Sequence, residues 1–118
     1  MTQVTFYKRS DGRYTGFTAK GHAGYAKYGK DILCAAISAL VESTANGITE
    51  VVGAKTDLLT IDEGYVDIEI AETESDAIFQ SAQILIETLY RALASIAEEK
   101  QYSGHIRITS TERRKKHV

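Results

Sequence analysis

Residues 65–99, YVDIEIAETESDAIFQSAQILIETLYRALASIAEE, contain the change of hydrophobic period that decides the fold. The first six residues alternate apolar and acidic side chains, which is typical of a strand with one buried face. After Ser75 or Asp76, either of which is a good helix N-cap, the apolar residues recur at helical spacing. They are Ile78, Ala82, Leu85, Leu89, Leu93 and Ile96. The stretch therefore predicts a strand followed by a long amphipathic helix, to about residue 99.

The same patterns predict the other elements. Asp11-Gly12 and Asp62-Glu63-Gly64 are turn signals inside two hairpins, and Asp31 and Gly53 bound a first helix. The predicted elements are strands 4–9, 14–19, 57–61, 65–70 and 105–109, a glycine-rich loop 21–30, and helices 32–52 and 76–99. This order, β-β-α-β-β-α-β, predicts an α+β two-layer sandwich with two long helices on one face of a mixed β-sheet. The first half of helix 32–52 is apolar almost all round, so we expect it to be covered on most sides.

Composition and charge limit the class of protein. The chain has 118 residues, 43% hydrophobic and 25% charged, so we expect one globular domain over residues 1–110. It shows no signal-peptide pattern and no apolar run near 20 residues, which predicts a cytoplasmic protein without a membrane segment. Residues 111–118 carry a charge of +3 and form a basic tail, expected to be disordered, so the rest sums to −5. Direct nucleic-acid binding by this acidic body is not expected.

Cys34, the one cysteine of the chain, is the first candidate for chemistry. A lone cysteine in an apolar helix is most often a small buried hydrophobe. If Asp31 caps the helix, however, Cys34 lies in its first turn, where the helix dipole and the N–H groups favour the nucleophilic thiolate. The same N–H groups can hold an oxyanion. The position therefore favours a catalytic nucleophile.

The loop before this helix supplies a base for the thiol. His22 lies 12 residues before Cys34, on a loop long enough to fold back over the helix start. His105, at a strand start far along the chain, and His117, in the tail, are less suited. The loop also contains glycines, which allow close approach and hinge motion or only turns, and tyrosines, which contact a peptide or only pack on the surface. These residues are Gly21, Gly24, Tyr25, Tyr28 and Gly29.

Two polar residues flank the cysteine. Asp31 is either the N-cap or a third catalytic residue that orients His22, and one carboxylate can do both; the cap is the favoured role. Ser38 lies one helical turn after Cys34, where its hydroxyl either lines the site or bonds back to a carbonyl. The histidines and the cysteine lack zinc-site spacing, and no phosphate-binding glycine motif occurs, so neither a metal nor a cofactor is expected.

These residues together resemble a known family. The pattern Gly21-His22-Ala23, then Tyr28-Gly29-Lys30-Asp31-Ile32-Leu33-Cys34-Ala35-Ala36, then Ser38-Ala39, is similar to the motif of the Prp, or YsxB-like, family of ribosomal-processing cysteine proteases. The length and the predicted element order fit as well. The resemblance covers residues 1 to about 110 and does not extend to the basic tail.

The resemblance implies a cysteine endopeptidase that removes the N-terminal extension of a bacterial large-subunit ribosomal protein, after a hydrophobic, Phe-rich segment. It assigns the nucleophile to Cys34, the catalytic histidine to His22, the motif aspartate to Asp31 and the motif serine to Ser38. It also implies a homodimer, and a histidine-bearing loop that moves when the peptide binds.

Two other functions fit the same residues. A non-catalytic ribosome-associated binding factor would reach RNA with its basic tail, so removal of residues 111–118 should abolish its salt-dependent affinity for the ribosome. A protease without the tail should still cleave a peptide. A thiol enzyme acting on a small molecule, such as an amidase or acyl transferase, would need the same Cys–His pair in a closed pocket. It should turn over short acyl esters and leave a Phe-rich peptide uncut.

Overall fold

A computed structural model of the chain describes residues 1–27 and 31–112. Within these ranges the order of elements is the predicted one, and the strand bounds differ from the predicted bounds by at most two residues. The elements are β1 Thr2–Lys8, β2 Tyr14–Lys20, α1 Ile32–Asn46, a π-helical turn Gly47–Val51, β3 Thr56–Asp62, β4 Tyr65–Ile70, α2 Asp76–Glu98 and β5 Ile106–Thr111. Because β5 extends to Thr111, that residue belongs to the sheet, whereas the tail was predicted to begin there. Residues 113–118 of the tail lie outside the described residues.

The strands form one mixed sheet in the order β3-β4-β2-β1-β5. Neighbouring strands are antiparallel except β1 and β5, which are parallel. As a result, β1, β4 and β5 begin at the same end of the sheet at which β2 and β3 finish. The loop after β2, the turn between β3 and β4, and the segment before β5 therefore meet there. We call this end the loop end of the sheet.

Both helices pack on one face of the sheet, which confirms the two-layer architecture. Inward-facing strand residues and one face of each helix are fully or almost fully buried. They include Val4, Phe6, Phe17, Val66 and Ile68 from the sheet, Leu33, Ile37 and Val41 from α1, and Ala82, Ile86, Leu89 and Leu93 from α2. Each large side chain in this set contributes about 1.5–3 kcal/mol through removal from water, so this core is the main source of stability.

The end of the first helix differs from the prediction of one helix to residue 52. The α-helix stops at Asn46, and a π-helical turn follows, in which Val52 N donates to Gly47 O. The Thr49 hydroxyl lies 3.1 Å from the carbonyl of Ala45 and 3.3 Å from that of Asn46, so it competes with the main-chain ladder. Gly53 ends the segment with φ +77°, as predicted for a helix stop.

The first half of α1 is less covered than predicted. Ile32 is 63% exposed, and Ala35, Ala36 and Ala39 are also exposed. The helical segment Ile32–Val51 is interrupted by polar residues such as Glu42 and Glu50, but an 18-residue window within it has a mean hydropathy of 1.4. Among the described residues this is the one helix long and apolar enough to cross a membrane, and core helices also meet that criterion. Its buried face packs into the core described above.

Gln83 joins α2 to the start of β2. Its side chain donates from Nε2 to Tyr14 O at 2.8 Å and accepts at Oε1 from Tyr14 N at 2.6 Å. β4 pairs with β2 only from Gly16 onward, so Gln83 supplies the hydrogen bonds that a longer β4 would make. The Tyr14 hydroxyl donates to Glu87 at 2.6 Å, and burial together with this bond raises the pKa of Tyr14. These side-chain bonds fix the packing of α2 on the sheet.

We expect Gln83→Leu to lower the free energy of unfolding by about 2 kcal/mol, because it leaves the buried N–H and C=O of Tyr14 without partners. Gln80→Leu is the matched control, since Gln80 lies on the exposed face of α2 and should change stability by less than about 0.5 kcal/mol. Urea denaturation measures both values. Equal effects of the two substitutions would contradict the role given to Gln83.

Candidate active site

A cleft at the loop end of the sheet is lined by three of the candidate residues, Gly21, Cys34 and Ser38, and His22 contacts Cys34 from beside it. Cys34 and Ser38 line it from α1, and Gly21 and Gly64 line it from the ends of the strands. The position follows from strand direction, because β2 ends here and the chain turns back through the loop into α1. The cleft is thus built from a helix start, a loop and a hairpin turn.

The start of α1 is capped as predicted. Asp31 has an extended backbone, and its Oδ1 accepts a hydrogen bond from Cys34 N at 2.8 Å, while its carbonyl accepts from Ala35 N at 3.1 Å. Cys34 is the third residue of the helix and is half-buried. Its thiol therefore lies in the first helical turn, where the positive end of the dipole favours an anion.

His22 lies beside the thiol. The distance from its Nδ1 to Sγ of Cys34 is 3.6 Å, which is within hydrogen-bonding range for sulfur. The other side of the ring faces the β3–β4 turn: a Cβ atom built on Gly64 would lie 3.3 Å from Nε2 of His22. The absence of a side chain at Gly64 therefore leaves room for the imidazole. The two residues can exchange a proton without any change in the loop.

Two glycines of the loop have backbone conformations that favour glycine. Gly21 has φ +92°, and a Cβ there would lie 2.6 Å from the carbonyl oxygen of Met1, so the close approach is to the main chain. Its N–H donates to Gly64 O at 3.0 Å, which ties the loop to the β3–β4 turn. Gly24 has φ +68° with open space around it, so only its conformation favours glycine.

The second oxygen of Asp31 holds the loop. Oδ2 accepts from the N–H groups of Tyr25 at 2.9 Å and Ala26 at 3.2 Å. Desolvation opposes ionisation, but the hydrogen bonds from Cys34, Ala26 and Tyr25 outweigh it and hold the pKa of Asp31 below its usual value. The carboxylate is therefore charged at neutral pH. These three bonds all go to main-chain N–H groups, which is the capping role extended to the loop.

The Asp31 bonds change one expectation about the chemistry. The sequence predicted that N–H groups of the first turn could hold an oxyanion. In the structure the N–H of Cys34 donates to the Asp31 carboxylate, and the N–H of Ala35 donates to the Asp31 carbonyl. Both donors are therefore engaged in hydrogen bonds within the chain.

Tyr25 packs against other aromatic rings. Its ring lies 5.1 Å from that of Tyr102 and 5.5 Å from that of His105, both edge to face. The ring packs at the surface with 39% of the residue still exposed, and contact with a peptide stays a prediction. The predicted loop residues Tyr28 and Gly29 lie outside the described residues.

Ser38 and the possible metal ligands complete the predicted set. Ser38 lines the cleft one turn beyond Cys34, which is the position its spacing predicted. Over residues 1–27 and 31–112, no group of three or more His, Cys, Asp and Glu side chains could hold a metal ion. The thiol of Cys34 and the imidazole of His22 are in hydrogen-bonding contact at this site.

Sequence reasoning missed two residues that contact the His22 segment. His105 was considered only as a base, yet its Nδ1 lies 3.0 Å from the carbonyl oxygen of Ala23, 82 residues away. Gly64 was considered only as a turn residue, yet it faces the His22 ring. No local pattern signals either contact, because both arise from the order of strands in the sheet.

Comparison with known proteins gives consistent matches. The model of the family "Cysteine protease Prp" matches residues 1–107. The ribosomal processing cysteine protease Prp of Bacillus subtilis is 33% identical over 112 residues, covering 93% of this chain and 97% of that protein. The Prp of Staphylococcus aureus strain Mu50 is 30% identical over 109 residues, covering 92% of this chain and 97% of that protein.

A solved structure agrees with these sequence matches. The crystal structure of the ribosomal processing protease Prp from S. aureus, in complex with a covalently linked product peptide, superposes with a TM-score of 0.78 at 29% identity. It covers 93% of this chain and 99% of that one. The sequence matches extend over nearly the whole domain, and the fold is shared. The chain therefore belongs to the cysteine protease Prp family.

Proposed function

We propose that this cysteine protease removes the N-terminal extension of a bacterial large-subunit ribosomal protein, with Cys34 as nucleophile and His22 as general base and acid. The observation that carries the proposal is the 3.6 Å separation of Sγ and Nδ1 at the start of a capped helix. The substrate class is supported by the relatives, which are named ribosomal processing proteases. One S. aureus relative has been solved in complex with a substrate peptide.

The proposed reaction uses one proton relay. Nδ1 of His22 takes the proton from Sγ of Cys34, and the thiolate attacks the scissile carbonyl carbon to form a tetrahedral oxyanion. The C–N bond then breaks, His22 protonates the leaving amine, and a thioester remains on Cys34. Water, deprotonated by His22, attacks the thioester, and the carboxylic acid leaves as the thiol is restored.

Asp31 affects this scheme in two ways. Its negative charge lies close to the thiol, at a helix start where the dipole favours an anion. Its carboxylate also occupies the Cys34 N–H, so an oxyanion can use that donor only when the carboxylate releases it. Movement of the loop on peptide binding, which the family resemblance implies, would accompany such a release because the same carboxylate holds Tyr25 and Ala26.

The setting of the reaction follows from its substrate. A ribosomal protein is made and assembled in the cytoplasm, so we place the protease there, where reducing conditions keep Cys34 as a thiol. The resemblance to the family supports a homodimer. The exposed apolar residues of α1, Ile32 among them, support it as well, because apolar surface of this kind often marks a contact with a partner.

Cleavage of a peptide that spans the N-terminal extension and its Phe-rich segment tests the proposal. Wild type should make a single cut, Cys34→Ala should make none, and His22→Ala should be slower by about 10²–10⁴-fold because proton transfer is lost. Mass spectrometry identifies the cut, and His117→Ala serves as the control for loss of a histidine. A folded wild type that leaves the peptide intact but hydrolyses short acyl esters would favour the small-molecule alternative.

The two roles of Asp31 can be separated by substitution. Asp31→Asn retains an N-cap oxygen for Cys34 N but replaces the second acceptor with an NH₂ group, so the loop loses its bonds. We expect kcat/KM for the peptide to fall about tenfold, since a less constrained His22 is aligned with the thiol for less of the time. Glu50→Gln, which removes a negative charge at an exposed position of the same helical segment, should have no effect. Full activity in Asp31→Asn would show that the loop needs no anchor at this residue.

The stability of Asp31→Asn relative to wild type should depend on pH. Because the folded pKa of Asp31 lies below the usual value of 3.8, the ionised carboxylate stabilises the native state fully above that pH. The stabilisation is lost as the pH falls through the folded pKa, so wild type and Asp31→Asn should differ most near pH 7 and converge in acid. Urea denaturation between pH 3 and pH 7 measures the difference, and a gap that does not vary with pH would contradict this role.

The homodimer is tested by sedimentation velocity over a range of concentrations. We expect a species of twice the chain mass of 13.0 kDa that dissociates on dilution. A single species of monomer mass at all micromolar concentrations would rule the homodimer out.

A further inference from the structure

We infer that His105 is a positioning residue for catalysis: its imidazole holds the main chain beside His22 and thereby keeps the His22 ring against Cys34. The inference rests on the catalytic pair proposed above. It concerns a residue far from the family motif, whose side chain reaches the loop from the segment before β5.

The main chain at His105 is held independently of its ring. The carbonyl of His105 accepts from Thr2 N at 3.0 Å, and its N–H donates to Tyr102 O at 2.9 Å. The first of these bonds lies at the beginning of the parallel pair β1–β5, at the loop end of the sheet. The imidazole therefore projects towards the loop from a rigid base, and a substitution of the side chain leaves these bonds in place.

The hydrogen bond to the loop fixes the tautomer of His105. Its Nδ1 lies 3.0 Å from the carbonyl oxygen of Ala23, and a carbonyl can only accept. Nδ1 must therefore carry the proton and donate it. Ala23 is 1% exposed, so without this donor its carbonyl would lose a partner in a place where water has little access.

The main chain is hydrogen-bonded on both sides of His22. The N–H of Gly21, one residue before His22, donates to Gly64 O at 3.0 Å. The carbonyl of Ala23, one residue after it, accepts from His105. The backbone of His22 is thus held on both sides, by two parts of the sheet that are distant in sequence. These two hydrogen bonds limit the movement of the His22 imidazole relative to Sγ of Cys34.

Aromatic contacts of Tyr25 hold a further part of the loop. Tyr25 packs edge to face on His105 with ring centroids 5.5 Å apart, and on Tyr102 at 5.1 Å. Pairs of this geometry contribute about 0.5–1.5 kcal/mol beyond the area they bury. His105 therefore contacts the loop through one directed hydrogen bond and one ring face.

Three substitutions at position 105 separate the hydrogen bond from the rest of the side chain. His105→Asn places an NH₂ donor near the position of Nδ1, His105→Gln places it near the position of Nε2, and His105→Ala removes it. We expect kcat for peptide cleavage to fall about tenfold in the Ala and Gln variants and to stay within about threefold of wild type in the Asn variant. KM should change by less than about twofold, because His105 does not line the cleft.

A residue with a purely structural role would lower the melting temperature without changing kcat well below that temperature. Each variant is therefore assayed at least 10 °C below its own melting temperature. The rate of Cys34 alkylation by iodoacetamide between pH 5 and pH 9 is measured in parallel, since loss of the His22 contact should shift that profile towards the one of His22→Ala. A folded His105→Ala with wild-type kcat and alkylation profile would overturn the inference, as would His105→Asn no more active than His105→Ala.

The tautomer provides a test that does not depend on activity. In wild type labelled with ¹⁵N-histidine, at a pH where the ring is neutral, the long-range ¹H–¹⁵N spectrum should show His105 protonated at Nδ1. A proton on Nε2 would overturn the inference even in an active enzyme. Conversely, a wild type that cleaves no peptide would refute the proposed function, whereas the spectrum would still decide whether His105 holds the loop.

Discussion

The Asp31 carboxylate is the interaction on which the rest of the site depends. One oxygen caps α1 through the N–H of Cys34, and the other accepts from two N–H groups of the preceding loop. A half-satisfied carboxylate in this place would be costly to bury, but three N–H donors offset the cost, as the lowered pKa of Asp31 shows. The helix that carries Cys34 and the loop that carries His22 are therefore held by the same group.

The sheet provides the frame in which that group can act. Because β1 and β5 are parallel and the other neighbours antiparallel, the start of β5, the turn before β4 and the end of β2 meet at one end. Gly21 is required there for space, because it approaches the Met1 carbonyl, and Gly64, with φ +74°, has the backbone conformation that favours glycine and faces the His22 ring. The buried core, with α2 fixed on β2 through Gln83, keeps these strand ends in register. The geometry of the site thus depends on pairings between strands that are distant in sequence.

Features that depend on neighbouring residues in the sequence could be predicted, whereas contacts between residues distant in the sequence could not. Alternation in residues 65–70 and the helical stripe after Ser75 are local, so the elements and their order were predicted correctly. The contact between His22 and Cys34 could also be predicted, because a separation of 12 residues and a capped helix limit the positions that the loop can take. The π-helical turn was missed because the hydrophobic pattern continues through residues 47–51 and does not distinguish a π-helical turn from an α-helix. The His105 contact was missed because only strand order brings position 105 to the loop.

Asp31 and His105 each hold the loop, and the two residues have different roles. His22 already lies beside the thiol, but the Cys34 N–H that the proposed mechanism would offer to an oxyanion donates to Asp31. If substrate takes that donor, Asp31 keeps its bonds to Tyr25 and Ala26 but loses the bond by which it joins the loop to the first turn of α1. His105 acts on Ala23 through a separate hydrogen bond that Asp31 does not share. The second anchor therefore allows Asp31 to release an N–H without loss of the alignment between His22 and Cys34. An enzyme that must both free a donor and keep its base in place needs two such contacts.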